Sequence, residues 1–154
     1  MYKRQHNIDP AVIEEALLGH DAVAFAGAIG QPDAHSGELP CVYVELVAGA
    51  TVSDEELIVY ATNNIGEPGA TPKHLEILKE LPKTAVGKVF KPDLRKMAIT
   101  RIFDQILSEK NAKARVSGVK DDKKLGLVAQ ISGEASDALI KEALQDFTIP
   151  WERS

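Results

Sequence analysis

Apolar and polar positions along residues 9–46 predict one helix followed by two strands. Asp9 before Pro10 is typical of a helix start and Gly19 of a helix end, so we predict a helix from Pro10 to Leu18. Its apolar face, at helical spacing, comprises Val12, Ile13, Ala16 and Leu17. Residues 22–29 are continuously apolar, which predicts a strand covered on both faces, and we expect it to be the central strand.

A second strand, a capped helix and a third strand are predicted over residues 41–78. Residues 41–46 carry Val42, Val44 and Leu46 on one face, and residues 32–37 before them are predicted to be a connecting loop. Ser53 and Glu56 have the spacing of a capping box, in which each side chain satisfies the other's backbone N–H. The helix that follows has the apolar face Leu57, Ile58, Ala61 and Ile65. Residues 74–78 alternate as a strand.

The last third of the chain predicts a helix, two strands and a further helix. A long helix is expected from Asp93, with Pro92 at its entry and an apolar stripe at Ile99, Ile102, Phe103, Ile106 and Leu107. Residues 114–119 and 125–131 are predicted to pair around a polar turn at 121–124. The final helix would use Leu139, Ile140, Ala143, Leu144 and Phe147. No internal repeat is evident from the sequence.

Together these elements predict an α+β fold with a small sheet of about three strands flanked by helices. A β-hairpin carrying Lys88 follows the third strand, and a helix-strand-strand-helix extension follows the hairpin. We expect one domain over residues 1–97 and a small α/β extension over residues 98–154.

The turn at Gly87-Lys88 is the main candidate for chemistry. Glycine permits a tight backbone conformation, and the lysine ammonium that follows it would point away from the body of the fold. A phosphate-binding P-loop is excluded, because its first glycine would fall at Pro82 and its Ser/Thr at Val89. The residues alone are more typical of a solvated surface turn.

Composition narrows the functional classes. The chain has 154 residues, 44% hydrophobic and 27% charged, as in globular proteins, and its net charge of −5 argues against a general nucleic-acid binder. No apolar run approaches the roughly 20 residues that span a bilayer, and no secretory signal is evident. Cys41 is the single cysteine, so we expect a buried residue and a reducing cytoplasm.

A metal site is not expected. The candidate ligands, His20, His35, His74, Asp33 and Glu38, lack the tight spacing of recurring zinc sites. Trp151, near the end of the chain, is predicted to be a packing residue.

Five separated segments, taken in order, resemble the C-terminal domain of AMP-forming acyl-CoA synthetases, the adenylate-forming family. The resemblance runs from about Asn7 to Arg95, and its segments are Asn7-Ile8-Asp9-Pro10, residues 12–18, residues 20–23, Gln31-Pro32-Asp33 with Gly37-Glu38, and Pro82-x-Thr84-x-x-Gly87-Lys88 followed by Leu94-Arg95.

The resemblance implies an enzyme that joins a carboxylic acid to ATP and then passes the acyl group to coenzyme A. ATP with Mg²⁺ and coenzyme A are implied as substrates, none bound tightly by this domain, and a large N-terminal domain is implied as partner. Lys88 is implied as the catalytic lysine, with Thr84 and Gly87 supporting its loop. Lys83 and Lys91 are candidate phosphate contacts, within a basic patch that a solvated helix start would explain equally well.

The segment just before Asn7 departs from the family pattern. Gln5, His6 and Asn7 are the candidate coenzyme A face, yet Arg4-Gln5 stand where the family usually has a glycine pair. The large domain and the hinge residue that the family places upstream are expected to be missing from the chain. An alternative therefore stays open, in which the chain is a stand-alone, non-catalytic binding or assembly module that retains the fold.

Overall fold

The computed structural model describes residues 9–66 and 71–154 of the chain. These residues form four helices and six strands, and the α+β class predicted from the sequence is confirmed. In chain order they are α1 (Pro10–Leu18), β1 (Val23–Asp33), β2 (Gly37–Leu46), α2 (Asp54–Asn64), β3 (His74–Leu78), α3 (Lys91–Glu109), β4 (Ala114–Asp122), β5 (Gly126–Gly133), α4 (Asp137–Leu144) and β6 (Trp151–Arg153).

The chain divides into two compact units. The first contains the chain up to Gly30 and Leu39–Leu94, and the second contains Gln31–Glu38 and Arg95–Ser154. The predicted domain boundary between residues 97 and 98 stays a prediction. No helix in the described ranges is long and apolar enough to cross a membrane.

The first sheet has the strand order β1-β2-β3. The expectation that residues 22–29 form the central strand is therefore wrong, because β2 lies between β1 and β3. A short turn places β1 beside β2, and the crossover through α2 brings β3 parallel to the other edge of β2. Both faces of β1 are nevertheless covered. Ala26 and Ala28 belong to the core, and on the opposite face a Cβ at Gly27 would lie 2.6 Å from Leu94 Cδ1.

The predicted caps and apolar faces of the first unit are observed. Asp9 accepts a hydrogen bond from Ala11 N–H at 2.9 Å, and Ser53 Oγ accepts one from Glu56 N–H at 3.0 Å. In a capping box the Glu56 side chain would also accept a hydrogen bond from the Ser53 N–H. Here the Glu56 carboxylate instead lies 3.6 Å from His20 Nε2. Almost completely buried core residues from the helices and strands are Ile13, Leu17, Val42, Val44, Leu57 and Ala61.

The predicted loop at residues 32–37 is too long. The strands extend to Asp33 and from Gly37, so the three residues between them form a tight turn. Asp33 Oδ2 accepts hydrogen bonds from the N–H groups of His35 at 3.1 Å and Ser36 at 2.9 Å. Gly37 has a φ of +83°, which the turn requires and which glycine adopts without strain.

The second unit has a three-stranded sheet of its own, in the order β4-β5-β6. β4 and β5 are antiparallel, as predicted, although the turn between them, at residues 123–125, begins two residues later than expected. The short strand β6 escaped the sequence analysis and runs parallel to β5. As predicted, Trp151 is a packing residue. It packs against the core of this unit, whose buried residues include Phe103, Leu107, Ile131, Ile140 and Leu144.

The two halves of the chain share one order of elements, although no repeat is evident in the sequence. Each runs helix, strand, strand, helix, strand, with the third strand parallel to the second. Each strand-strand turn begins at an aspartate that accepts two backbone N–H groups, Asp33 in one half and Asp122 in the other. Each second helix is capped by a serine, Ser53 or Ser136. The structure thus repeats a topology that the residue pattern conceals.

Candidate functional site

The candidate site is a short hairpin at residues 82–90, here called the Lys88 hairpin. Its two sides are held by one antiparallel bridge between Lys83 and Val89. Two backbone hydrogen bonds flank that bridge, from Phe90 N–H to the Pro82 carbonyl at 2.8 Å and from Thr84 N–H to the Lys88 carbonyl at 2.7 Å. The predicted hairpin is present, with a single bridge in place of a strand ladder.

The tip of the hairpin is a three-residue loop that ends at Gly87. Gly87 N–H donates to the Thr84 carbonyl at 2.9 Å, and Gly87 has a φ of +86°. This combination is common in hairpins whose loop has three residues, and it favours glycine at the last position. Thr84 Oγ1 also accepts a hydrogen bond from Lys88 N–H at 3.2 Å. The backbone of Lys88 is therefore held from both sides by Thr84.

The Lys88 side chain is exposed to solvent. No carboxylate in residues 9–66 or 71–154 lies within ion-pair distance of its ammonium, whereas Lys83 and Lys91 have carboxylate partners. Val86, two residues earlier, is 82% exposed. The tip thus presents one cation and one aliphatic side chain away from the core, an arrangement that can approach an anion held by another body.

The first side of the hairpin is tied to the sheet through Glu45, at the end of β2. Glu45 Oε1 accepts hydrogen bonds from Lys83 Nζ at 2.7 Å and from Leu81 N–H at 2.9 Å. Lys83 Nζ also lies 4.4 Å from the ring centre of Phe25. Burial raises the pKa of the Glu45 carboxyl, but the hydrogen bonds from Lys83 and Leu81 lower it overall below its ordinary value of 4.5.

The second side is tied to α1 through Glu14. Lys91 Nζ, at the first residue of α3, lies 2.7 Å from Glu14 Oε2, and both side chains are mostly buried. The same oxygen accepts a hydrogen bond from Ala28 N–H at 2.9 Å. Glu14 therefore joins the residue that follows the hairpin to the backbone of β1.

Of the predicted site residues, the structure brings Thr84, Gly87 and Lys88 together at the tip. Lys83 and Lys91 lie on the two sides of the hairpin, and each is engaged by a carboxylate, so their role as phosphate contacts stays a prediction. Lys96, five residues after Lys91 in the sequence, also has a carboxylate partner, Asp121, at 3.0 Å. The candidate coenzyme A face, Gln5, His6 and Asn7, lies outside the described residues.

Sequence analysis missed Glu14 and Glu45. Glu45 offered a signal, because it is the one charged residue in the apolar segment 41–46. A carboxylate in such a strand needs a partner. Glu14 offered none, since acidic residues are ordinary in helices.

The histidines do not converge. His74 Nε2 contacts Glu76 Oε1 at 3.0 Å, and His20 contacts Glu56 as described above. In the part of the chain that the structure covers, no three His, Cys, Asp or Glu side chains are grouped so that they could hold a metal ion.

Comparison with known proteins gives consistent results. Residues 12–88 match the family model described as the AMP-binding enzyme C-terminal domain. The chain is 46% identical over 102 residues to the marinolic acid–CoA ligase of Pseudoalteromonas sp. (strain SANK 73390), a match that covers 66% of this chain and 16% of that protein.

Solved structures give the same picture. An acyl-CoA synthetase from Brucella canis matches with 34% identity and a TM-score of 0.51, over 56% of this chain and 16% of that one. An anthranilate CoA ligase in complex with anthranoyl-AMP matches with 28% identity and a TM-score of 0.54, over 60% of this chain and 18% of that one. The chain spans less than a fifth of the length of each of these relatives.

Proposed function

Because the chain belongs to the family of AMP-binding enzyme C-terminal domains, we propose that it is the mobile C-terminal domain of an AMP-forming acid–CoA ligase. In this proposal Lys88 is the catalytic lysine of the adenylation step. The observation that carries it is the exposed Lys88 side chain, without a carboxylate partner among the described residues, at the tip of a hairpin whose two sides are tied down.

The reaction has two steps. The oxygen of a carboxylate attacks the α-phosphorus of ATP, the bond to the β-phosphate oxygen breaks, and acyl-AMP and pyrophosphate form. The thiol of coenzyme A then attacks the acyl carbon and displaces AMP, and the thiol proton is lost to solvent or a base. The first step brings two anions together, so a fixed cation stabilises its transition state without transferring a proton.

Lys88 fits that task because two hydrogen bonds hold its backbone in a defined turn. Thr84 and Gly87 fix the tip, and the ammonium extends beyond it. A relative whose structure contains anthranoyl-AMP supports an acyl-adenylate as the intermediate. A relative named as an acid–CoA ligase supports coenzyme A as the acceptor.

The partner in this proposal is a large N-terminal adenylation domain that holds ATP and the carboxylic acid. Mg²⁺ would arrive with ATP and neutralise its phosphates, and the described residues of this chain offer no group of ligands that would hold it. Neither ATP nor coenzyme A is expected to bind tightly to this domain alone. The predicted phosphate contacts of Lys83 and Lys91 are not part of this proposal, because each lysine is already paired with a carboxylate.

The domain would present a different face to the N-terminal domain in each of the two steps. The Lys88 hairpin serves adenylation, and Gln5, His6 and Asn7 are the candidates for the coenzyme A face. The single cysteine, buried in β2, supports a reducing cytoplasmic location. The stand-alone module is not favoured, because the matched relatives are named as ligases or synthetases.

A complementation experiment tests the proposal. The C-terminal segment of the Pseudoalteromonas ligase is replaced by this chain, and formation of marinoloyl-CoA from marinolic acid, ATP and coenzyme A is measured. We expect activity well above that of the ligase lacking the segment. Activity no higher than that of the truncated ligase, with the chimera folded by circular dichroism, would contradict the proposal.

A further inference from the structure

The two ends of the Lys88 hairpin share one arrangement. At each end a single carboxylate oxygen lies 2.7 Å from a lysine ammonium and accepts a hydrogen bond from a backbone N–H at 2.9 Å. Glu45 does so for Lys83 at one end, and Glu14 does so for Lys91 at the other. The two carboxylates come from different elements, so the hairpin is fixed to both β2 and α1.

Lys83 and Lys91 are more buried than Lys88. The side chains of Lys83 and Glu45 are 19% and 18% exposed, and those of Lys91 and Glu14 are 29% and 19% exposed. A partly buried ammonium that left its carboxylate for a phosphate would leave that carboxylate without its partner, which is unfavourable. Lys83 also covers the Phe25 ring, a second contact that it would lose.

We propose that Glu45 and Glu14 are positioning residues that clamp the Lys88 hairpin between two lysine–carboxylate pairs and so set where the Lys88 ammonium is delivered. The inference rests on the proposed function and deepens it. It assigns Lys83 and Lys91 a role in fixing the hairpin, in place of a contact with phosphate.

The clamp matters because the tip acts as a lever. Lys88 lies five residues after Lys83 and three before Lys91, with only one antiparallel bridge between the two sides. A small rotation at the base therefore displaces the ammonium by a larger amount. Misplacement of a catalytic group by about 1 Å can reduce a rate by roughly a hundredfold.

The first experiment uses the full chain alone. Amide hydrogen exchange is followed at Thr84 and Phe90, whose N–H groups close the hairpin, and at Ala129 in the second unit as a reference. We expect Glu45→Ala to accelerate exchange at Thr84 and Phe90 by at least roughly tenfold and to leave Ala129 unchanged. Glu80→Ala, which removes an exposed carboxylate next to the hairpin, should change neither.

Conservative variants keep the test informative if Glu45→Ala fails to fold. Glu45→Gln retains an oxygen that can accept from Leu81 and Lys83 but loses the charge, so its exchange rates should fall between those of wild type and Glu45→Ala. At the other end, Glu14→Ala should accelerate hairpin exchange. Glu15→Ala, on the exposed side of the same helix, should not.

The second experiment separates a clamp from a phosphate contact in the chimeric ligase. Lys83→Met keeps the aliphatic stem but removes the ammonium. We expect it to lower kcat for adenylation roughly tenfold to a hundredfold with KM for ATP unchanged. Because the pair acts as a unit, Glu45→Ala combined with Lys83→Met should cost no more than either change alone.

Two results would overturn the inference. One is hairpin exchange at wild-type rates in the folded Glu45 and Glu14 variants. The other is a raised KM for ATP in Lys83→Met with kcat unchanged and no coupling to Glu45. A chimera without any activity would refute the proposed function only, since hydrogen exchange on the chain alone still decides whether the clamp exists.

Discussion

Thr84 holds the backbone of Lys88 through two hydrogen bonds. Its N–H donates to the Lys88 carbonyl at 2.7 Å, and its hydroxyl oxygen accepts from the Lys88 N–H at 3.2 Å. A catalytic lysine needs a defined backbone more than other residues do, because four flexible side-chain bonds separate its ammonium from the chain. The two hydrogen bonds with Thr84 restrict the Lys88 backbone, so the remaining motion of the ammonium comes mainly from rotation about the side-chain bonds.

Removal of the Thr84 hydroxyl should loosen the tip without unfolding the domain. Thr84→Val keeps the shape of the side chain but loses the acceptor for Lys88 N–H, a bond worth about 1 kcal/mol. We expect faster amide exchange at Lys88 and a several-fold slower adenylation in the chimeric ligase. Thr62→Val, which removes an exposed hydroxyl from α2, is the control and should leave adenylation unchanged. An unaltered exchange rate at Lys88 would contradict this view of Thr84.

Gly87 should be required for its backbone conformation alone. Among the described residues, a Cβ at this position meets no atom within 4 Å, but the φ of +86° disfavours any side chain. Gly87→Ala should therefore destabilise the hairpin by about 1–2 kcal/mol. Gly66→Ala is a matched control, because Gly66 has equal space and no positive φ. Denaturant unfolding and hairpin amide exchange give the comparison, and equal behaviour of the two variants would rule out the strain argument.

Gly27 should be required for space. A Cβ here would lie 2.6 Å from Leu94 Cδ1 and 2.9 Å from Val89 Cγ1, and Val89 belongs to the Lys88 hairpin. We expect Gly27→Ala to cost about 1–3 kcal/mol of stability, as overpacking does, and to accelerate exchange in the hairpin. The additional change Val89→Ala should recover part of that loss. If Gly27→Ala costs as much stability in the Val89→Ala background as in the wild type, the contact with Val89 is not the cause.

Acid should weaken the clamp at Glu45. Since the folded-state pKa of this carboxyl is lowered, its stabilising contribution is present above the ordinary value of 4.5 and is lost as pH falls through the lower folded value. Wild-type stability should therefore fall more steeply below about pH 4.5 than that of Glu45→Gln, which has no charge to lose. Urea unfolding at a series of pH values measures the difference. Parallel curves for the two proteins would count against a charged clamp.

Much of the local structure follows from the sequence. The caps at Asp9 and Ser53 and the turn at Gly87 depend on neighbouring residues, so short-range chemistry predicts them. The position of Lys88 at an exposed tip follows from the same turn. Its identity as the residue of interest came from the order of separated motifs, because a lone glycine-lysine turn is chemically ordinary.

Long-range structure did not follow. The apolar run in β1 predicted coverage on both faces, which is correct, but the partner covering Gly27 is Leu94, far along the chain. The pair of Glu45 with Lys83 joins residues 38 positions apart, and no local periodicity encodes such a contact. β6 has only three residues, too few for a recognisable alternation.

The central claim is that the Lys88 ammonium stabilises the adenylation step. ATP–pyrophosphate exchange by the chimeric ligase measures that step directly, before coenzyme A takes part. Lys88→Ala should slow exchange by roughly 100- to 1,000-fold with the fold intact, whereas Lys79→Ala, which removes an exposed lysine just before the hairpin, should leave it unchanged. Exchange at the wild-type rate in Lys88→Ala would contradict the account.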